Sequence, residues 1–225
     1  MYEWLIFLLL GILVGFTGGY AGIGGAPFLV AGLVLALNFD QHLAQGTVLA
    51  IMLGPMSLPG VLVMWDRVRL MFVEIGIGVI CYAIISNLGA KMAYSIQGET
   101  LSFAFGILLI LLGFRYLFRK KGIGEVELDP NHITVGEHGI IPFNKFTVVV
   151  ISAVVGFVGG LFGIGAGVLM VPLLISLCDL HKDDARSLSL AILLPPVSIG
   201  AVLEYGSNDG IRWGAALVMF ILYFI

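Results

Sequence analysis

Charge is what this chain has least of. Asp, Glu, Lys and Arg make up only 11% of its 225 residues, whereas hydrophobic residues make up 60% and mean hydropathy is +1.09. A soluble domain could not cover a core that rich, so the composition excludes a soluble globular protein and indicates an integral membrane protein. Cysteine is also scarce. Cys81 and Cys178 are too few and too differently placed for a disulfide framework or a metal site, and neither has a basic neighbour to favour a thiolate. The four histidines, His42, His132, His138 and His181, all fall in loops. An intramembrane Ser-His or His-metal centre therefore lacks its parts, which argues against an enzyme and against a cofactor or metal. With a net charge of −3, no nucleic-acid partner is expected.

Long apolar stretches run over 45–65, 70–93, 100–118 and 187–204. Each is near the ~20 residues that cross ~30 Å of hydrocarbon as helix. Another begins near Arg212 and is still apolar at Ile225. The segments 4–38 and 146–178 are too long for one crossing but break near the middle. Arms of about fifteen residues reach only ~22 Å, so each segment is expected to enter the membrane and return as a re-entrant or short helical hairpin.

The strongest signal is a duplication. Gly15-Phe-Thr-Gly-Gly-Tyr-Ala-Gly-Ile-Gly24 returns as Gly156-Phe-Val-Gly-Gly-Leu-Phe-Gly-Ile-Gly165. The match continues without a gap to Ser57 and Ser198, pairing Leu49-Ala50-Ile51 with Leu190-Ala191-Ile192 and Pro55 with Pro196. Residues 1–118 form a first transmembrane repeat, 119–145 a linker and 146–225 a second repeat that stops early. Basic residues orient them. Arg115, Arg119, Lys120, Lys121 and Lys145 bracket the linker and place it in the cytoplasm, and Arg67 and Arg69 are also inside. Residues 38–45 carry no Lys or Arg and belong outside, whereas the matching 179–186 carry Lys182 and Arg186. Opposite bias implies inverted repeats of an all-α, multi-pass protein of the cell's inner or plasma membrane.

Duplicated, Gly- and Pro-interrupted segments point to a transport site between two halves. Opposed hairpins would bring Gly18, Gly19, Gly22, Gly24 and Gly25, with Gly159, Gly160, Gly163 and Gly165, toward the midplane. There the free N–H groups of the second arms would meet an anion. The alternative is that these glycines only let helices pack closely. The helix breaks Pro55, Pro59, Pro195 and Pro196 fall near the middle of 45–65 and 187–204, beside Ser57 and Ser198. Those hydroxyls either donate to a bound oxyanion or bond back to their own helix at the kink. Arg67, Arg69, Arg115, Arg186 and Arg212 sit at span ends, where they can snorkel to the interface. Glu74 and Glu204, near span ends too, are the candidate proton carriers. Val126–Val135 is expected to form a short hairpin turning at Asp129-Pro-Asn-His.

The paired Gly-Phe-x-Gly-Gly-x-x-Gly-Ile-Gly elements, the second followed by Val171-Pro172, resemble the sulfite exporter TauE/SafE permease family over almost the whole chain. The resemblance implies a permease for small anions such as sulfite, sulfoacetate, other organosulfonates or related organic anions. By position it carries over to Gly18, Gly19, Gly22, Gly24, Gly159, Gly160, Gly163 and Gly165. Ala31 stands where the second copy has Pro172, so the halves need not contribute equally. Aligning Asp66-Arg-Val-Arg69 with Asp209-Gly-Ile-Arg212 leaves the last helices of the second repeat short or missing. The expectation is a fragment of a protein about 35–40 residues longer, or a homo-oligomer that completes the half. The rival functional readings are a structural or accessory subunit and a passive anion channel.

Overall fold

The computed structural model describes residues 2–21, 25–117, 135–136, 139–140, 145–165, 167–178 and 180–224. Among these the chain is nearly all helix. The first half comprises α1 Tyr2–Ala21, α2 Ala26–Leu37, α3 Gln41–Ile51, α4 Leu58–Val63, α5 Trp65–Val68, α6 Phe72–Tyr94 and α7 Gly98–Leu117. The second comprises α8 Lys145–Phe162, α9 Gly167–Cys178, α10 Lys182–Ile192, α11 Ile199–Ser207 and α12 Trp213–Phe224. Between them, β1 Val135–Gly136 pairs antiparallel with β2 Gly139–Ile140. The hairpin expected over 126–135 lies, Val135 apart, outside the described residues.

Equivalent local devices start and stop the central helices of both halves. Asp40 accepts a hydrogen bond from the His42 N–H at 3.0 Å to cap α3, and its repeat mate His181 accepts through Nδ1 from the Asp183 N–H at 3.4 Å to cap α10. Each of these 11-residue helices then stops, since Pro55 in one half and Pro195-Pro196 in the other bring no N–H to continue the ladder. Helix resumes immediately after Ser57 as α4 and after Ser198 as α11. Pro59 corrects the expectation for it. It lies in the first turn of α4, where its missing N–H costs nothing, so it starts a helix instead of breaking one.

The hairpins also differ from expectation. Their first arms are not short: α1 has 20 residues and α8 has 18. Like the 23-residue α6, α8 is long and apolar enough to cross a bilayer. The reason is that Gly18 and Gly19 remain inside α1, and Gly159 and Gly160 inside α8. A Cβ on Gly156 would lie 3.0 Å from the Tyr82 backbone, and one on Gly160 would collide with the Ser86 carbonyl. Close approach to α6, not a turn, is what these α8 glycines serve, so the helix runs on through them. The break comes at Gly163 and Gly165, with φ of +67° and +66°, a left-handed backbone that a Cβ opposes. The corresponding Gly22 and Gly24 lie outside the described residues, and Gly25 is the buried N-cap of α2.

Packing between the halves is reciprocal. The first half's α6 lies along α8, and its second-half counterpart α12 lies along α1. Likewise α10 packs on α4 and α5, while α11 packs on α3. Three apolar clusters result among the described residues, each drawing on both halves; the smallest joins Val61 and Val68 to Ala191. The largest joins Leu33 of α2, Leu49 of α3, Tyr205 of α11 and Met219 of α12, and the second joins Tyr82 of α6, Val155 of α8, Met170 of α9 and Leu188 of α10. Outward-facing Leu35, Val63, Phe103 and Leu203 are exposed, the apolar surface that a lipid-embedded protein presents.

Candidate functional site

A cavity of about 380 Å³ lies where the two helix breaks face each other. Its wall contains residues that the duplication relates: Leu49 and Leu190, Met52 and Leu193, Met56 and Val197, Ser57 and Ser198. Residues 141 positions apart in sequence thus share one space. Around them stand Pro59 and Gly60 from α4, Tyr82 from α6, Gly165 from the second glycine break and Val171 from α9. Most of this lining is apolar, and the polar groups are few and fixed.

Ser57 and Ser198 precede α4 and α11, yet neither hydroxyl caps its helix. Both Oγ atoms are buried without a hydrogen-bond partner among the described residues. The back-bonding alternative is therefore not what these two serines do. An unpaired buried hydroxyl costs about 1–3 kcal/mol, a cost that a bound acceptor would remove. The glycines divide into two groups. Gly165 lines the cavity, and Gly163 presses its backbone against Gln45. Gly159 and Gly160 face α6 and are not among the described cavity residues, and Gly18 and Gly19 lie near the end of α1. Pro55, Pro195 and Pro196 sit in the breaks that create the space.

Sequence reasoning missed Arg186. It was expected at a span end, but it lies one turn inside α10 and lines the cavity together with Ser189, Leu190 and Leu193. That i, i+3, i+4, i+7 stripe is the signal that could have found it. Among the described lining residues Arg186 alone is charged. Glu74 is buried in the first turn of α6 and Glu204 is half-buried on α11, and neither lines the cavity. Among the described residues no three His, Cys, Asp or Glu side chains gather to hold a metal. Cys81 and Cys178 are unbridged, on α6 and at the end of α9.

The cavity is flanked by two docks between the halves. In one, Arg67 of α5 donates through Nη1 to Asp184 of α10 at 2.6 Å, with Asp183 3.9 Å from Nη2. In the other, the Arg212 N–H donates to Thr47 Oγ1 at 3.0 Å, and the Arg212 guanidinium lies 5.5 Å from the Phe39 ring centroid. Beside it the Tyr205 hydroxyl donates to Gln45 Oε1 at 2.8 Å, and Tyr94 stacks on His42 with centroids 4.9 Å apart. Arg67 and Arg212, expected only to snorkel, instead tie one half to the other.

The model of the family described as sulfite exporter TauE/SafE matches residues 4–225. Among curated proteins, the probable membrane transporter protein YunE of Bacillus subtilis is 26% identical over 235 aligned positions, covering 96% of this chain and 83% of that protein. The probable membrane transporter protein YdhB of the same organism is 29% identical over 205 positions, covering 89% and 76%. A third, MJ0441 of Methanocaldococcus jannaschii, carries the same description at 26% identity over 215 positions, covering 91% and 74%. No solved structure matches the chain. With an apolar exterior, bilayer-length helices and a family model that spans nearly its whole length, the chain belongs to the sulfite exporter TauE/SafE family of membrane transporters.

Proposed function

We propose that this chain is a permease for small sulfur-containing or organic anions of the sulfite, sulfoacetate and organosulfonate class, working by alternating access at the cavity between its halves. The observation that carries the reading is the meeting of Ser57 and Ser198. They are repeat mates, both line one cavity, and their buried hydroxyls have no hydrogen-bond partner among the described residues. Two donors from opposite halves can hold one oxyanion, and a rocking of one half against the other would expose it to either side in turn. The reciprocal packing supports inverted repeats, because exchange of the halves maps α6 on α8 onto α12 on α1. Charge bias supports an inner-membrane orientation with residues 66–69 and 182–186 cytoplasmic and 38–45 outside. Proton coupling and self-association belong to the same proposal.

Purified protein in liposomes, assayed for uptake of labelled sulfite and sulfoacetate with and without a proton gradient, tests this reading. Ser57→Ala and Ser198→Ala are each expected to weaken apparent affinity about tenfold, the loss of one hydrogen bond to a charged acceptor, with folding intact. Wild-type uptake of neither anion, or full uptake by the double variant, would overturn it.

A further inference from the structure

A groove of about 640 Å³, apart from the cavity at the breaks, lies between the end of α2, the start of α3 and one face of α7. Along α7 its lining residues Glu99, Ser102, Phe103, Gly106, Ile107 and Ile110 recur at i, i+3, i+4, i+7, i+8 and i+11, one stripe about 16 Å long. The stripe is polar in its first turn and apolar beyond. Phe103, Ile107 and Ile110 are exposed, and a Cβ on Gly106 would find nothing within 4 Å, so the groove is open there. At the polar end Gln41 lines the groove, is only 3% exposed, and has no hydrogen-bond partner for either amide atom among the described residues. Asp40 and Glu99 are the charged members of the described lining, and both are exposed. Asp40 Oδ2 accepts from the His42 N–H, whereas Oδ1 lies 2.8 Å from where a Gly98 Cβ would be, against the start of α7. His42, with Nδ1 3.2 Å from Oδ2, can offset only one of the two carboxylates when protonated. Arg212, over the Phe39 ring, is not among the described groove residues.

We infer that this groove binds a phospholipid with a primary ammonium headgroup, the head at Gln41 and one acyl chain along the α7 stripe. Exposed carboxylates put the polar end at the membrane surface, and the apolar stripe runs from there into hydrocarbon, the order of head and chain in a lipid. Charge selects the head. Two carboxylates accept ammonium N–H groups and repel a lipid whose head is anionic. The Gln41 amide carries one acceptor and two donor hydrogens, so Oε1 can take an ammonium N–H while Nε2 donates to the phosphate. One zwitterionic head thereby satisfies the buried donor and acceptor that the protein leaves open. A metal ion or a soluble amine would use the polar end alone and leave the stripe uncovered. The inference goes beyond the permease reading and does not depend on what the cavity at the breaks carries.

Native mass spectrometry of the full chain, released from detergent with lipids of identical acyl chains, reads the inference directly. Phosphatidylethanolamine should bind about tenfold more tightly than phosphatidylcholine, whose quaternary head has no N–H to donate, or than anionic phosphatidylglycerol. Gln41→Leu with Glu99→Gln should weaken phosphatidylethanolamine about tenfold, to the level of phosphatidylcholine. Both changes suit the fold, since one removes an unpaired buried amide and the other is exposed. Glu99→Gln alone, expected to weaken that lipid about threefold, is the reading variant if the double variant does not fold. Glycerophosphoethanolamine, the same head without chains, should not displace the lipid at equal concentration. Retention of none of the three lipids, equal binding of phosphatidylethanolamine and phosphatidylcholine, or a preference that survives in the double variant would overturn the inference. Displacement by the soluble head would assign the groove to a free amine instead, and expulsion of lipid on self-association would assign it to a second copy of the chain; either result also overturns it.

Discussion

The two reciprocal contacts between the halves share a place in the repeat but not a chemistry. Where α6 meets α8, glycines bring backbones together: Gly156 and Gly160 meet Tyr82 and Ser86, and Gly89 of α6 would place a Cβ against the Phe157 carbonyl. Where α12 meets α1, Gly11 faces the Leu222 side chain instead, 3.0 Å from where its Cβ would be. The docks that flank the cavity diverge in the same way. Asp184, which receives Arg67, has Leu43 as its repeat mate, and Arg67 itself corresponds to Gly210, which lies beneath Tyr94. One dock turns on an Arg–Asp pair, the other on hydroxyls, rings and the Arg212 guanidinium over Phe39. Some residues that the halves keep in common (Leu49 and Leu190, Pro55 and Pro196, Ser57 and Ser198) sit at the breaks and the cavity, others (Gly156 and Gly160, shared with Gly15 and Gly19) sit against α6, and the Arg67–Asp184 pair has no counterpart in the other dock. Shared topology constrains where the halves touch, while the chemistry of each contact is free to differ.

The glycine interface should show the largest contrast. Gly160→Ala drives a Cβ into the Ser86 carbonyl, and backbone cannot swing aside as a side-chain tip can, so α6 and α8 must separate. A cost of about 3 kcal/mol is expected, the upper end for overpacking. Gly11→Ala meets the Leu222 side chain at 3.0 Å and the Met219 Cα only at an ordinary 3.6 Å, so it should cost about 1 kcal/mol or less. Thermal unfolding of the two variants in detergent compares them directly. Equal losses would mean that the two reciprocal interfaces are packed alike.

Next come the docks. Arg67→Ala strips its guanidinium from Asp184, whose side chain is 2% exposed. The loss should approach about 3 kcal/mol, the low end for breaking a buried pair, because Arg67 itself is 37% exposed. Thr47→Val at the opposite dock removes one acceptor from the Arg212 N–H and should cost about 1 kcal/mol. Unfolding midpoints in low and high salt sharpen the comparison, since the loss from Arg67→Ala should shrink as salt screens the pair, whereas the loss from Thr47→Val should not change. A Thr47→Val loss as large as that of Arg67→Ala would show that the hydroxyl contact and the Arg–Asp pair hold the halves equally.

The breaks and the long helices were legible in sequence for direct physical reasons. Proline cannot donate to a helix ladder, so Pro55 and Pro195-Pro196 announced where α3 and α10 end, and the uninterrupted apolar runs announced α6 and α7. The pairing of Ser57 with Ser198 was legible through the duplication. The lengths of α1 and α8 were not, because a glycine reads the same whether it turns the chain or admits a neighbouring helix, and only the presence of α6 tells which. Arg186 was missed because hydropathy places it at the edge of an apolar run, while its role depends on which way α10 faces. The Arg67–Asp184 pair spans 117 residues, and nothing local to either residue announces it.

The smallest expected effect is also the control for the comparison. Gly106 lies in the middle of α7, and a Cβ built on it finds nothing within 4 Å. It thus shares its residue type and its helical setting with Gly160 but has no neighbour to displace. Alanine there removes backbone freedom from the unfolded chain without a steric penalty, so Gly106→Ala should stabilise by about 0.5–1 kcal/mol. A small rise in the unfolding midpoint is the expected result. If Gly106→Ala instead destabilised as much as Gly160→Ala, contact with α6 would not be the reason that α8 keeps its glycines, and a general intolerance of alanine at helical glycines in this fold would take its place.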